Sequence, residues 1–391
     1  MLVVGAGPAG SAAARALAQQ GLRVVLADRH AFPRDKVCGD GLISDALGAL
    51  STLGLRERAA ALAVHPDALR IVAPSGRDVR LGGDYACVPR ERFDLLLWDA
   101  AREAGAIAAQ RLTAVRALES DGRVCGARFT APSGDVEIRA PVTLLATGAN
   151  AVALRAFGLE ASWQPDAVAG RAYFVAPPDV AARFPSLMIA FHREWCPGYG
   201  WIFPSPGHRF NIGVGLFAGS TGGGALQRFW RFFTTSFAPA ATIVGASRQT
   251  SAFRGAPLRT SLSGGLFGRP GLLAIGEAAS TTYAATGEGI GKAMESGLLA
   301  AAFASECVAG LRSPDALYAE YGSEFRARFR ARYRGYAVAQ QWASHPRIVN
   351  VLTARARAGR FARTELEALV SEQGDPRRLF SVPGLVRALV R

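Results

Sequence analysis

Leu2-Val3-Val4-Gly5-Ala6-Gly7-Pro8-Ala9-Gly10 opens the chain, and Val24-Val25-Leu26-Ala27-Asp28 follows after one short run rich in alanine. Together they read as a strand–helix–strand dinucleotide fingerprint with all its parts in order. Leu2–Val4 is the end of a buried strand. Gly5 makes the tight turn, Gly7 lets the backbone approach a pyrophosphate, Ala9 lies beside it, and Gly10 lets the helix lie close to the sheet. Ala12–Ala18 is a strong helix former with a slim packing face, and Gly21 ends it. Val24–Leu26 reads as a second parallel strand, buried on both faces. Asp28 closes that strand 18 residues after Gly10, where a carboxylate accepts from a ribose hydroxyl. The bland alternative is a glycine-rich turn in some other α/β protein. The motif specifies a dinucleotide without saying which.

Around this unit, 391 residues of which 50% are hydrophobic supply a large core and point to more than one domain. No stretch is apolar for long enough to predict a transmembrane helix. The N-terminus lacks the basic region of a signal peptide, and because the chain opens inside its first strand, a few residues further upstream are expected. Cys38, Cys87, Cys125, Cys196 and Cys307 show neither a CxxC pair nor ligand spacing, which fits a reducing cytoplasm and predicts no metal site. The formal charge of +14 is carried almost wholly by arginine, Lys36 and Lys292 being the only lysines. Such a bias reflects codon usage as readily as a partner, so no nucleic acid is inferred. From Arg312 to Arg391 there are fifteen arginines against seven acidic residues. That basic region would suit peripheral contact with an anionic inner membrane face; a solvated helical face is the preferred reading.

Helical patterns cover Ile43–Leu53 and Arg90–Ala104. Strand patterns cover Val124–Thr130, Val136–Arg139 and Val142–Ala146, with Ser133-Gly134 as a hairpin turn. Alternation from Ala169 to Phe217 predicts an antiparallel sheet. Leu272–Ile275 is a short strand leading into Gly276-Glu277, and Thr286-Gly287-Glu288-Gly289-Ile290-Gly291 opens a helix to about Val308. The remainder from Ala316 reads as helical. The expected architecture is α/β: a discontinuous Rossmann-type domain (1–65, 88–155, 266–310), an inserted antiparallel sheet domain for substrate (66–87, 156–265) and a C-terminal helical region (311–391).

The fingerprint, the Asp28–Gly41 loop, Gly200-Trp201-Ile202-Phe203-Pro204, Asn211–Gly215 and Thr286–Ile290 together resemble the geranylgeranyl reductase family, within the FAD-dependent oxidoreductases related to aromatic hydroxylases. The resemblance covers residues 1 to about 310 and says little of the last 80. It implies FAD as the cofactor, and the single complete fingerprint agrees. NADPH or a ferredoxin would then donate electrons transiently. It also implies that Arg29, Arg34, Lys36 and Gly39 belong to a loop passing the flavin, with Cys38 beside the ring as an active-site shaper or proton relay. By itself Cys38 reads as a small buried hydrophobe. Arg90 resembles an FAD-contacting arginine; its alternative is a surface helix charge. Glu277 stands where the family carries an Asp for a ribityl hydroxyl, and Tyr283-Ala284 stands where it carries Asn-Pro. Gly287, Gly289 and Ile290, at a helix N-terminus, suit the negative N1–C2=O edge of reduced flavin. Tyr199 and Trp201 are implied to line a substrate tunnel; sheet core is an equal reading. Asn211–Gly215 reads as sheet structure.

Three functions are compatible with these residues. The first is reduction of isoprenoid double bonds, with a hydrophobic or lipid substrate. The second is a flavin monooxygenase acting on an aromatic or polyketide-like molecule, whose group carries Asp-Gly where this chain has Thr147-Gly148. A halogenase fits less, since the partner Trp of its box is missing and both lysines fall within flavin-loop motifs. The third is a non-enzymatic FAD carrier. His192 and His208 flank the aromatic block and read as surface or core residues.

Overall fold

The computed structural model describes residues 1–159, 166–217, 224–262 and 264–390. Residues 160–165, 218–223 and 263 of the span assigned to the sheet domain, and residue 391 of the C-terminal region, lie outside them. Leu2–Val4 sits inside a six-stranded sheet whose order is Gly268–Arg269, Leu272–Ala274, Thr143–Leu145, Leu2–Val4, Val25–Ala27, Ile107–Ala109. Its pairs are parallel except at the Gly268–Arg269 edge. The strand at Leu272 therefore joins the fingerprint sheet from far along the chain. Ile107–Ala109 carried no sequence signal: it is three residues long, and Ile107 is exposed.

The fingerprint helix, Pro8–Gln19, buries Ala12, Ala13, Ala14 and Leu17. Gly5 takes φ +101°, which a side chain disfavours. A Cβ on Gly10 would stand 1.9 Å from the Gly5 carbonyl oxygen, so the close approach of helix and turn requires glycine there.

The second sheet has eight strands, with Ala167–Val175, Arg209–Phe217, Tyr199–Ser205, Leu187–Phe191, Leu69–Val72 and Asp78–Leu81 in spatial sequence. It is not wholly antiparallel as expected: Leu187–Phe191 runs parallel to Leu69–Val72, because the chain leaves the sheet after residue 81 and returns from the other domain. Residues alternate between its faces. Ile202, Ile212 and Val214 meet Phe229, Phe233 and Ile243 of two covering helices, Ala225–Ser236 and Ala238–Ala246; Tyr199, Trp201 and Phe203 cluster on the opposite face with Phe217. In the hairpin of Arg123–Ala131 and Gly134–Arg139, Gly134 already pairs with Ala131, so the turn is Pro132-Ser133 rather than Ser133-Gly134.

Among its described residues the basic tail forms four α-helices, Leu317–Ala343, Pro346–Ala358, Arg360–Val370 and Val382–Val390. The first is far from a free appendage. Tyr321, Phe325, Phe329, Tyr333 and Tyr336 form a buried stripe that packs on Phe267, Phe303 and Tyr283. Arg326, Arg328, Arg330 and Arg334 project from its exposed side. Among the described residues no helix is long and apolar enough to cross a membrane.

Candidate active site

A cavity of about 640 Å³ takes its walls from both sheets, a volume within the range of small-molecule sites. Gly5, Gly7, Ala9, Asp28, Arg29, Arg34, Lys36, Cys38, Gly39, Arg90, Tyr199, Trp201, Glu277, Gly287, Gly289 and Ile290 all line it. Gly10 does not; it packs under the turn.

At the fingerprint end, the helix starting at Pro8 has no side-chain cap at Gly7, which leaves first-turn N–H groups for an anion. Arg34 lies beside Gly7 and pairs with Asp94 at 3.0 Å. Its Nε is buried with no hydrogen-bond partner among the described residues. Asp28 Oδ2 accepts the Ala6 N–H and Oδ1 the His30 N–H, each at 2.8 Å. Burial alone would push this carboxyl up; the His30 and Ala6 bonds and the Arg34 charge hold it below its usual range. An uncapped helix N-terminus, an unpartnered guanidinium nitrogen and an ionised carboxylate at the end of the second strand fit the pyrophosphate and ribose of FAD.

Farther in, Lys36 Nζ stands 3.8 Å from Glu277 Oε2, and Glu277 Oε1 accepts the Arg259 N–H at 3.3 Å. The longer Glu is thus fixed from two sides. The altered turn closes on itself: Tyr283 N–H donates to the Glu288 carbonyl at 2.8 Å, and Gly287 N–H to the Tyr283 carbonyl at 3.1 Å. The expected row of open N–H groups at the next helix, Ile290–Val308, is partly closed, because Glu288 Oε1 accepts from the Gly291 N–H at 2.8 Å.

Arg90 is no surface charge. It is 3% exposed and grips Asp94 with two hydrogen bonds of 2.7 and 2.8 Å. Cys38 Sγ accepts the Asp40 N–H at 3.4 Å. Asn211 lies in the strand Arg209–Phe217, as its sequence reading expects, and is also a fully buried junction: its Nδ2 donates to the Cys38 carbonyl at 2.7 Å and to Asp40 Oδ2 at 2.8 Å, while its Oδ1 accepts from Trp201 Nε1 at 2.9 Å. Trp201 fits because a Cβ on Gly213 would lie 2.1 Å from its ring. Tyr199 donates its hydroxyl hydrogen to the Thr286 carbonyl at 2.5 Å, tying the aromatic wall to the glycine-rich loop.

Asp40 and Tyr173 were not singled out from sequence. The Asp40 carboxyl, 1% exposed, accepts from the Tyr173 hydroxyl, Asn211 and the Arg90 N–H. A polar residue between Phe210 and Ile212 in a strand was the available signal for a satisfied buried group. His192 and His208 do not line the cavity. Nor does Lys292, despite its sequence neighbourhood beside the glycine-rich loop; it is wholly buried in a different cluster. There Asp45, Glu288 and Glu372 come close enough to hold a cation, but the Lys292 ammonium already stands 3.5 Å from Asp45 and 3.9 Å from Glu372.

The family model described as FAD binding domain matches residues 1–334. A digeranylgeranylglycerophospholipid reductase of Methanoculleus marisnigri is 30% identical over 84% of this chain and 81% of its own length. A menaquinone reductase of Mycolicibacterium smegmatis is 32% identical over 77% of this chain and 75% of its own. Among solved structures, a geranylgeranyl bacteriochlorophyll reductase-like protein from Thermoplasma acidophilum superposes with a TM-score of 0.79 at 22% identity, covering 100% of this chain and 95% of that one.

Proposed function

Because the chain belongs to the geranylgeranyl reductase family of FAD-dependent oxidoreductases, we propose that it reduces carbon–carbon double bonds of a geranylgeranyl or other polyprenyl chain. One observation carries the reading: the wall of Tyr199, Trp201, Phe203 and Phe217 belongs to the same cavity as the flavin-loop residues. An apolar chain laid there gains ~25 cal/mol per Å² removed from water. Bound FAD supplies the hydride chemistry. Asp28, Arg29, Arg34 and the Gly5–Gly10 turn hold its adenosine and pyrophosphate half; Lys36, Gly39, Arg90, Glu277 and Gly287–Ile290 hold the flavin half. Tyr199 and Trp201 orient the prenyl chain, and Cys38 shapes the reacting end. NADPH or a ferredoxin provides the electrons in a transient encounter. The residues divide between a cofactor unit (1–65, 88–155, 266–310), a substrate unit (66–87, 156–265) and the C-terminal helices.

The test is anaerobic. Enzyme with reduced FAD, mixed with a geranylgeranyl lipid, is expected to reoxidise quickly and give a product heavier by two hydrogens. Reoxidation by oxygen alone, with a product that has gained oxygen, would establish the monooxygenase reading instead.

We further propose a cytoplasmic enzyme whose last helix can touch an anionic membrane face, against the solvated face that its arginines alone would favour. Val382, Val386, Leu389 and Val390 are exposed there beside Arg387. Full-length protein is expected to float with anionic vesicles at low salt, and a Val382→Asp/Val386→Asp variant is expected to stay behind. Equal flotation would remove this helix from the interface. Deleting residues 312–391 is no substitute, because the Tyr321–Tyr336 stripe belongs to the core.

A further inference from the structure

Saturating an alkene takes a proton as well as a hydride, and among the carboxyl residues lining the cavity, which include Asp28, Glu277 and Glu288, Asp40 is the one joined to both the Cys38 loop and the aromatic wall. Asp40 lines the cavity yet is 1% exposed. It sits at φ +68°, left-handed for a non-glycine residue, and directs its backbone N–H at Cys38 Sγ. Its two oxygens differ. Oδ2 accepts from both Tyr173 and Asn211, whereas Oδ1 accepts from the Arg90 N–H at 3.3 Å. A hydrogen carried on Oδ1 therefore disturbs the weaker contact.

We propose that Asp40 is the general acid of the reduction. This rests on the prenyl-reductase reading. The π bond breaks as one carbon takes the hydride supplied by reduced FAD. The other carbon takes the hydrogen of the Asp40 carboxyl, whose O–H bond breaks and leaves a carboxylate. Water reprotonates it, and the substrate gains two hydrogens in all.

The surroundings suit a group that cycles between its two forms. Burial pushes the carboxyl up, against the Tyr173 and Asn211 bonds and the charges of Arg171 and Arg90, to about 6. From the sheet, Tyr173, Arg171 and Arg209 face this region, Arg171 and Arg209 each lying over the Tyr173 ring. Arg90 with its partner Asp94 faces it from the helix Arg90–Glu103, Cys87 from the short strand beneath, and Cys38 from its own loop. The acid form is the donor, so the rate of alkene reduction falls as pH rises through about 6.

Two readouts test this on the FAD-loaded protein. In infrared difference spectra, a protonated-carboxyl band is expected to vanish near pH 6 in the wild type and to be missing from Asp40→Asn. In anaerobic reoxidation by a geranylgeranyl lipid, Asp40→Asn is expected to be roughly 10²–10⁴-fold slower and flat over the same pH range. Asp40→Glu should recover part of the rate. Tyr173→Phe removes a hydrogen bond that favours the anion, so its midpoint should move to higher pH. A merely structural Asp40 would not produce that shift, and this variant serves where Asp40→Asn fails to fold. The absence of the infrared band, an Asp40→Asn enzyme with the wild-type profile, or an unmoved Tyr173→Phe midpoint each overturns the proposal while leaving prenyl reduction standing. If the wild type itself reduces no prenyl lipid, the functional reading fails and the donor role fails with it.

Discussion

Gly10→Ala is expected to yield protein that does not retain FAD. The added methyl would sit 1.9 Å from the Gly5 carbonyl oxygen and 3.1 Å from the Ala146 side chain. The first obstacle is backbone, so no rotamer change relieves it; the helix must move away from the turn. Overpacking of this kind costs about 1–3 kcal/mol or more, and the displaced groups are the Gly7 turn and the uncapped first-turn N–H groups that fit the pyrophosphate. Displacing them should weaken FAD binding at least ~100-fold, about 2.7 kcal/mol. The flavin-to-protein ratio after gel filtration measures it directly. Gly48→Ala is the control. Gly48 is an exposed helical glycine with nothing within 4 Å of its Cβ position, so alanine there should stabilise by about 0.5–1 kcal/mol. A Gly10→Ala protein that keeps stoichiometric flavin would mean that the close approach is dispensable.

What the sequence made readable follows from the range of the physics. The fingerprint is local: turn, helix and strand are encoded within 28 residues, and Gly10 answers a contact with Gly5 inside that unit, whereas Gly5 is pressed against Ala146 and Gly7 faces Arg34 from outside it. The same holds for the helix after Gly289 and the alternation of Tyr199, Trp201 and Phe203, whose period assigns them to one face before any partner is known. The Asp40–Asn211–Trp201 junction was hidden because its members come from a loop and two strands about 170 residues apart, and a lone Asp or Asn has no periodicity. Arg90 was ambiguous for a related reason. An arginine followed four residues later by Asp looks like a surface pair, and only the packing of Arg34 onto the same Asp94 shows that the pair is buried. The C-terminal arginines were conspicuous, whereas the aromatic stripe on the opposite side of that helix decides how it sits.

Lys292→Met is expected to destabilise the fold strongly. Its ammonium is wholly buried, bonded to Glu295 and near Asp45 and Glu372, above the rings of Phe329 and Tyr283. Burial alone would pull this ammonium down, but Asp45, Glu295 and Glu372 more than restore it. Without it Asp45 and Glu295 lose their countercharge, beside Glu288 and Glu372, whose carboxyls burial pushes well above their usual range. Breaking a buried pair in this way costs about 3–5 kcal/mol, a fall in Tm on the order of 10 °C. Glu372→Gln should behave in the opposite way. Burial, with Asp45 and Glu288 beside it, pushes the Glu372 carboxyl well above its usual range, so the folded protein keeps a proton there that the unfolded chain releases. Stability contributed at this site is therefore greatest in acid and declines as pH rises above the ordinary glutamate range. Gln carries the neutral form at every pH, so the variant should match the wild type near pH 5 and be the more stable of the two near pH 8. Thermal melts of both variants across that range decide the matter: a Lys292→Met melt unchanged from wild type, or a Glu372→Gln protein that weakens with pH, would contradict the charge assignment. The cluster joins the helix Ser44–Thr52, the glycine-rich loop and the segment after Arg360–Val370. Because Val370 lines the cavity, the same lysine that neutralises the cluster also holds one wall of the cavity in place.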